Sequence, residues 1–238
     1  MTTPVALDNP LCVALDFDDA HECRRLAAAT EDHVGAFKVG LTAFAAAGGA
    51  LVAELAERRA VFCDLKLHDI PAQVAGAVRE VAAHGAALVS VHASGGADMV
   101  RAAVDAAGDA VEVVAVTVLT SLDESGLASI GVDGPVHEHV VGLAELALDA
   151  GARALVCSPL EVARLRRRFG DRAGGGPLLV VPGIRPAGAG VDDQRRTATP
   201  SAARAAGADL VVVGRAITGT GDPAAAARLI AGELDRAG

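Results

Sequence analysis

Short, nearly unbroken apolar runs punctuate the chain, and longer Ala-rich stretches with helical spacing lie between them. The runs Cys12–Phe17, Ala36–Gly40, Val61–Leu67, Ala87–Ala93, Val113–Leu119, Ala154–Ser158, Leu178–Ile184 and Leu210–Arg215 read as strands. Most lack polar alternation, as parallel strands covered on both faces require. Asp19–Thr30, Thr42–Arg58, Ala72–His84 and Val136–Ala150 read as helices. Pro71 falls where a first helical turn accepts proline, and Gly85 and Gly151 follow helix ends.

The early strands begin about 25 residues apart, the length of one strand–helix unit. Eight such units predict an α/β fold, a single (β/α)8 TIM barrel, with residues 1–238 as one domain. An open doubly wound sheet is the competing arrangement. It usually carries a glycine-rich turn after its first strand, whereas here that strand runs into Asp16-Phe17-Asp18-Asp19. Two connections are long. Thr120–Pro135 is mixed and partly polar. Arg185–Pro200 is rich in Gly, Pro and charge, and its place after the seventh strand favours a substrate-closing lid over a linker.

Composition narrows the picture. The chain is 52% hydrophobic but only 2% aromatic, so Ala, Val and Leu must fill the core. A net charge of −9 argues against nucleic acid or an anionic membrane as the main partner, while leaving room for a local phosphate pocket. No apolar stretch reaches the roughly 18 residues of a membrane span, and no signal-peptide pattern opens the chain. Cys12, Cys23, Cys63 and Cys157 show no CxxC spacing and read as reduced structural thiols of a cytoplasmic protein.

Catalytic groups in such barrels come from the carboxyl ends of strands, and polar residues gather there: Asp16, Lys38, Asp64, Lys66, Thr120, Ser121, Arg185 and Arg215. In Asp64-Leu65-Lys66-Leu67-His68-Asp69-Ile70-Pro71, strand alternation puts Asp64 and Lys66 on one face and Cys63, Leu65 and Leu67 on the other. Two charges on an inner face are costly unless paired. They form either a catalytic cluster or a structural ion pair at the rim. Asp69 is either part of that cluster or a cap for the third helix. Gly214 and Arg215, after the eighth strand, suit a phosphate through close backbone approach and a planar donor fork, or form a turn with a solvated arginine. His137 and His139 open a helix away from this rim, where solvated or capping roles are favoured. His92 lies near the mouth without an assigned step. No cluster has convincing metal-ligand spacing.

These segments, taken in order, resemble the orotidine 5′-phosphate decarboxylase family: ALDFDD, FKVG, DLKLHDIP, VTVLTS, PGIRP with DDQ, ATP, and VVVGRAIT. The resemblance runs from about Leu11 to Leu229. Leu67 and Ala216 depart from it, where Phe and Pro are frequent, and neither is a charged or phosphate-contacting position. The resemblance implies decarboxylation of orotidine 5′-phosphate to UMP without metal or cofactor. It assigns Asp16 and Lys38 to the ribose, Asp64 to the substrate carboxylate and Lys66 to proton donation. Lys38 and Asp69 would hold the Lys66 ammonium by alternating charge. Thr120 and Ser121 would meet the pyrimidine, and Gln194, Gly214 and Arg215 the phosphate, with Arg185 in the same phosphate-side loop. It further implies a homodimer in which Asp69 and Ile70 reach the neighbour's site.

Two other readings compete. A magnesium-dependent sugar-phosphate decarboxylase or aldolase of the same barrel group shares the D-x-K-x-x-D core. The Ile70-Pro71 pair and the PGIR…Q loop favour the nucleotide enzyme. A non-catalytic nucleotide-binding barrel would tolerate loss of Asp64 or Lys66, yet both are present.

Overall fold

The eight apolar runs do form parallel strands, and β-branched residues populate them because a pleated surface covered on both sides suits such side chains. The computed structural model describes residues 8–185 and 196–237. Its strands are β1 (Leu11–Ala14), β2 (Ala36–Gly40), β3 (Ala60–Leu67), β4 (Leu88–His92), β5 (Glu112–Val116), β6 (Ala154–Val156), β7 (Leu178–Val181) and β8 (Leu210–Val213). They close into a barrel in chain order, with β8 hydrogen-bonded back to β1. The open-sheet alternative is excluded.

Helices α1 (Ala20–Thr30), α2 (Leu41–Ala56), α3 (Pro71–Ala83) and α4 (Ala97–Ala107) follow β1 to β4 in turn. After β5 come α5 (Glu124–Ser129) and α6 (Val136–Asp149), then α7 (Val162–Phe169), α8 (Pro200–Ala205), α9 (Arg215–Thr218) and α10 (Pro223–Ala237). The connection Thr120–Pro135, expected as loop, thus contains α5. Its start is set by Asp123, whose carboxylate accepts the Gly126 N–H at 2.9 Å. The expected helix over Thr42–Arg58 is broken at Gly48, whose φ of 63° suits glycine.

The core has two layers. Between strands and helices lie Val13, Phe37, Val39, Cys63, Val89, Leu155 and their helical partners. Inside the barrel lie Cys12, Ala14, Phe62, Leu88, Val116, Val180 and Val212. Both layers are apolar, which is why the strands read as continuous runs. Polarity enters at the carboxyl ends of the inward rows. Ala36 is followed by Lys38, Phe62 by Asp64, and Leu88 by Ser90. The four cysteines are free and buried.

Several predicted strands overrun their real ends. β1 stops at Ala14 rather than Phe17, and β8 at Val213 rather than Arg215. Asp16 therefore lies beyond β1, and Arg215 is the first residue of α9. The chain splays into loops at this mouth, so apolar residues there leave the ladder without losing burial. Among the described residues, no helix is long and apolar enough to cross a membrane.

Candidate active site

Closure of β1 to β3 aligns four charged residues across the mouth. The Lys38 ammonium lies 2.6 Å from Asp16 and 3.7 Å from Asp64. The Lys66 ammonium donates to both Asp64 oxygens at 2.8 Å. Carboxylate and ammonium alternate in the order Asp16, Lys38, Asp64, Lys66. The inner members are the drier ones, with side-chain exposures of 10% for Lys38 and 12% for Asp64. Asp16 is 52% exposed and Lys66 31%, so each end of the row can meet a ligand.

Burial works against the charge on Asp64, but the Lys66 and Lys38 ammoniums, with hydrogen bonds from Lys66 and Ser90, hold its carboxyl below the usual aspartate range. Burial likewise opposes the Lys38 charge, and the Asp64 and Asp16 carboxylates overcome it, raising the lysine above its ordinary value. Asp64 and Lys38 therefore both stay ionised at neutral pH. A row of two carboxylates and two ammoniums is locally neutral, which makes its partial burial tolerable.

The expected sharing of a face by Asp64 and Lys66 holds, but not through a regular strand. Cys63 pairs with Val89 and the next pairing is Leu67 with Val91, so residues 64–66 bulge opposite Ser90 alone. Lys66 has φ of 49°, the only positive value of a non-glycine residue among those described. Ser90 closes the bulge. Its hydroxyl accepts the Lys66 N–H at 2.8 Å and donates to Asp64 Oδ1 at 3.0 Å. Sequence reasoning did not select Ser90. The available signal was a lone hydroxyl within the apolar run Leu88–His92.

Above the row opens a cavity of about 830 Å³, lined by Asp16, Lys38, Asp64 and Lys66, by Thr120, and by Arg185, Gly214 and Arg215 on the β7–β8 side. Val116, Val118, Val156, Val180 and Pro182 supply apolar wall. The pocket thus offers arginines at one side, an alternating charge row at the other, and apolar surface suited to a flat ring. Of the other expected site residues, Ser121 is exposed beside Thr120 and outside the lining. Asp69 and Ile70 are exposed on the β3–α3 connection and also outside it. Asp69 accepts the Ile70 N–H at 2.6 Å, and α3 has no side-chain cap bond, so the capping alternative for Asp69 is not what forms. Among the described residues of one chain, Asp69 forms no ion pair with Lys66, and the Lys66 ammonium is held by Asp64 alone. Gln194 lies outside the described residues, as do residues 186–195 of the expected lid.

Two further features were missed. Arg196 forms a buried ion pair with Glu161 and donates to the Leu119 carbonyl at 3.0 Å, while Glu161 accepts the Ser158 N–H at 2.7 Å. Together they join the exits of β5 and β6 to the return of the chain after β7. Ala198 there bridges Ile184 and accepts the Arg185 N–H at 3.0 Å. No local pattern announces a pair 35 residues apart. The second feature is the His68–His92 ring pair, with centroids 5.3 Å apart. Burial, then the nearby His68 and Lys66, pull His92 below the usual histidine value. His137 and His139 sit at the start of α6, outside the lining of the cavity, and His139 Nε2 meets the Asp133 carbonyl at 2.8 Å. Among the described residues no group of three or more His, Cys, Asp or Glu side chains is arranged to hold a metal ion.

Known proteins resemble this chain over nearly its whole length. The chain is 53% identical over 231 residues to orotidine 5′-phosphate decarboxylase of Thermobifida fusca (strain YX), covering 96% of this chain and 97% of the relative. It is 56% identical over 225 residues to the protein of that name from Anaeromyxobacter sp. (strain K), covering 94% and 97%. Among solved structures, orotidine 5′-phosphate decarboxylase from Lactobacillus acidophilus superposes with a TM-score of 0.83 at 35% identity, covering 96% of this chain and all of that one. A sequence profile of the Orotidine 5′-phosphate decarboxylase / HUMPS family matches residues 9–230, nearly the whole length. With a closed barrel, an alternating charge row at its mouth and relatives matched end to end, the chain belongs to the orotidine 5′-phosphate decarboxylase / HUMPS family.

Proposed function

We propose that this chain decarboxylates orotidine 5′-phosphate to UMP, the last step of UMP synthesis, with neither metal nor organic cofactor, and that Lys66 supplies the proton. The observation that carries the mechanism is the row ending in Lys66. Its ammonium faces the cavity while both oxygens of an ionised Asp64 fix it from behind.

In the reaction the bond between C6 and the carboxylate breaks, CO₂ leaves, and the electron pair stays on C6. The ring delocalises that pair poorly, so fixed charges must stabilise it. Asp64 lies against the substrate carboxylate and disfavours it, an effect relieved as CO₂ departs. The Lys66 ammonium stabilises the developing carbanion and then donates a proton to C6, leaving a neutral amine that water reprotonates. Asp16 and Lys38 take the ribose hydroxyls. Thr120 and Ser121 meet the pyrimidine. Arg185, Gln194, Gly214 and Arg215 hold the phosphate, far from C6, where its binding energy can drive closure and orientation.

The working form is a homodimer of a cytoplasmic protein, each chain forming one domain over residues 1–238. Asp69 and Ile70 complete the neighbour's site, with Asp69 beside its Lys66. Supporting this, Ile70 and Leu41 are large apolar side chains exposed to 64% and 61% at the same rim.

Turnover of orotidine 5′-phosphate in excess EDTA, followed by ultraviolet absorbance, tests the reading. Conversion to UMP is expected. Activity only on sugar phosphates with added magnesium would move the chain to the other branch of the family. Binding of UMP with no turnover of either substrate would leave a nucleotide-binding barrel.

A further inference from the structure

We propose that Ser90 is a positioning residue for the reaction, holding the Asp64 carboxylate and the strained Lys66 backbone in one geometry. The proposal rests on the reading of Asp64 and Lys66 given above and extends it to a side chain on a different strand.

The backbone at Lys66 states the problem. A side chain with φ of 49° occupies the left-handed region, which disfavours residues with a Cβ. Such a conformation persists only where surrounding contacts over-determine it, and it often marks a functional site. The β3–β4 ladder cannot supply those contacts, because its register is interrupted between Cys63 and Leu67. The Lys66 N–H would otherwise lack a partner there, and an unmade bond is expensive beside a buried carboxylate.

Ser90 answers both needs with one atom. A hydroxyl has one donor and two acceptor positions. At Ser90 Oγ an acceptor position takes the Lys66 N–H at 2.8 Å, and the donor goes to Asp64 Oδ1 at 3.0 Å. Asp64 Oδ1 also receives the Lys66 ammonium at 2.8 Å. A closed circuit results, running from Lys66 N–H through the serine hydroxyl and the aspartate to the same lysine's ammonium. It ties the rotation of the carboxylate to the backbone that launches the lysine side chain. Without the hydroxyl, Asp64 can turn toward Lys38, which stands 3.7 Å away on β2, and the bulge can relax.

Ser90 itself is fully buried and does not line the cavity, so it acts through its two partners and not on substrate. Alanine at this position removes the hydroxyl and with it both bonds of the circuit. Threonine keeps the oxygen. The groups facing Asp64 are Lys38 of β2, Lys66 of β3 and Ser90 of β4, with Asp16 beyond β1 reaching it through Lys38. Loss of the serine donor therefore raises the aspartate's proton affinity with its two ammonium neighbours unchanged.

The test is steady-state decarboxylation by the full chain carrying Ser90→Ala, Ser90→Cys or Ser90→Thr, beside wild type and Lys66→Ala. UMP titration counts the competent sites. For Ser90→Ala, kcat per competent site is expected to fall about 10- to 100-fold, with KM and UMP affinity within about threefold. The acid limb of its kcat–pH profile should move to higher pH. Ser90→Cys, close in size with a weak donor, should share the loss, and Ser90→Thr should recover most of kcat. A kcat for both Ser90→Ala and Ser90→Cys within twofold of wild type overturns the proposal. So does a loss that Ser90→Thr shares in full, or one confined to the number of competent sites. If Ser90→Ala does not fold, Ser90→Cys and Ser90→Thr decide. An active Lys66→Ala would instead bring down the proton-donor reading itself, and this proposal with it.

Discussion

The two ends of the barrel each carry partly buried charge, arranged in opposite ways. At the amino end, Arg166 of α7 pairs with Asp209, just before β8, and its other donors reach the carbonyls of Gly207 at 2.9 Å and Pro177 at 2.9 Å. Asp209 also accepts the Leu179 N–H at 2.7 Å. Every nitrogen of the Arg166 guanidinium is engaged by the protein, and its side chain is 8% exposed. At the carboxyl end, among the described residues, the Lys66 ammonium is held by Asp64 alone and faces an open cavity. A saturated cluster braces the ends of β7 and β8. An unsaturated one retains capacity for a ligand, at a cost in stability that the alternating row keeps small.

This contrast can be broken by mutation. Removing the Lys66 amine should cost the most: Lys66→Ala is expected to lower kcat by on the order of 10⁴-fold, judged by ultraviolet decarboxylation assay. Its melting temperature should stay close to wild type, since Asp64 keeps Lys38 and Ser90. Arg166→Ala should show the reverse. Leaving Asp209 partly buried and unpaired is expected to cost about 3–5 kcal/mol in denaturant unfolding, with kcat per folded molecule unchanged. A large stability loss for Lys66→Ala, or a large kcat loss for Arg166→Ala in folded protein, would erase the distinction between the two ends.

A smaller effect sharpens it. His92 sits at the mouth with its pKa held below the ordinary 6.5, chiefly by burial and then by His68 and Lys66. A group depressed on folding binds its proton more readily in the unfolded chain. Its contribution to stability is present above 6.5 and is lost as pH falls through the folded value. Thermal melts from about pH 7 down to about pH 5 should therefore fall more steeply for wild type than for His92→Gln. Parallel curves would mean that His92 feels neither burial nor the Lys66 charge.

Much of the architecture could be read from order alone. β2 was expected at Ala36–Gly40 and is found there, because it is an apolar run flanked by a turn and a helix start. β1 and β8 end before their apolar runs do because hydrophobicity reports burial, and at the mouth burial continues after the ladder ends. The break in α2 was missed because Gly48 and Gly49 sit in an otherwise regular apolar pattern. At Gly49 a Cβ would lie 2.0 Å from the His84 ring, a close approach that no local signal foretells. In the site, Asp64 and Lys66 were visible as charges in an apolar strand. Ser90 and Arg196 were not, since their meaning lies in partners 24 to 77 residues away.

Residue order was sufficient for the barrel class, the placement of its strands and the kinds of charge gathered at one rim, because these follow from local periodicity and two-sided burial. Which charges touch is another matter. Asp16 meets Lys38 across 22 residues and Ser90 meets Asp64 across 26. Those contacts exist only once the strands close in a particular register and β3 bulges against β4. Register and closure are properties of neighbouring strands taken together, so the circuit around Asp64 and Lys66 came into view only with the folded barrel.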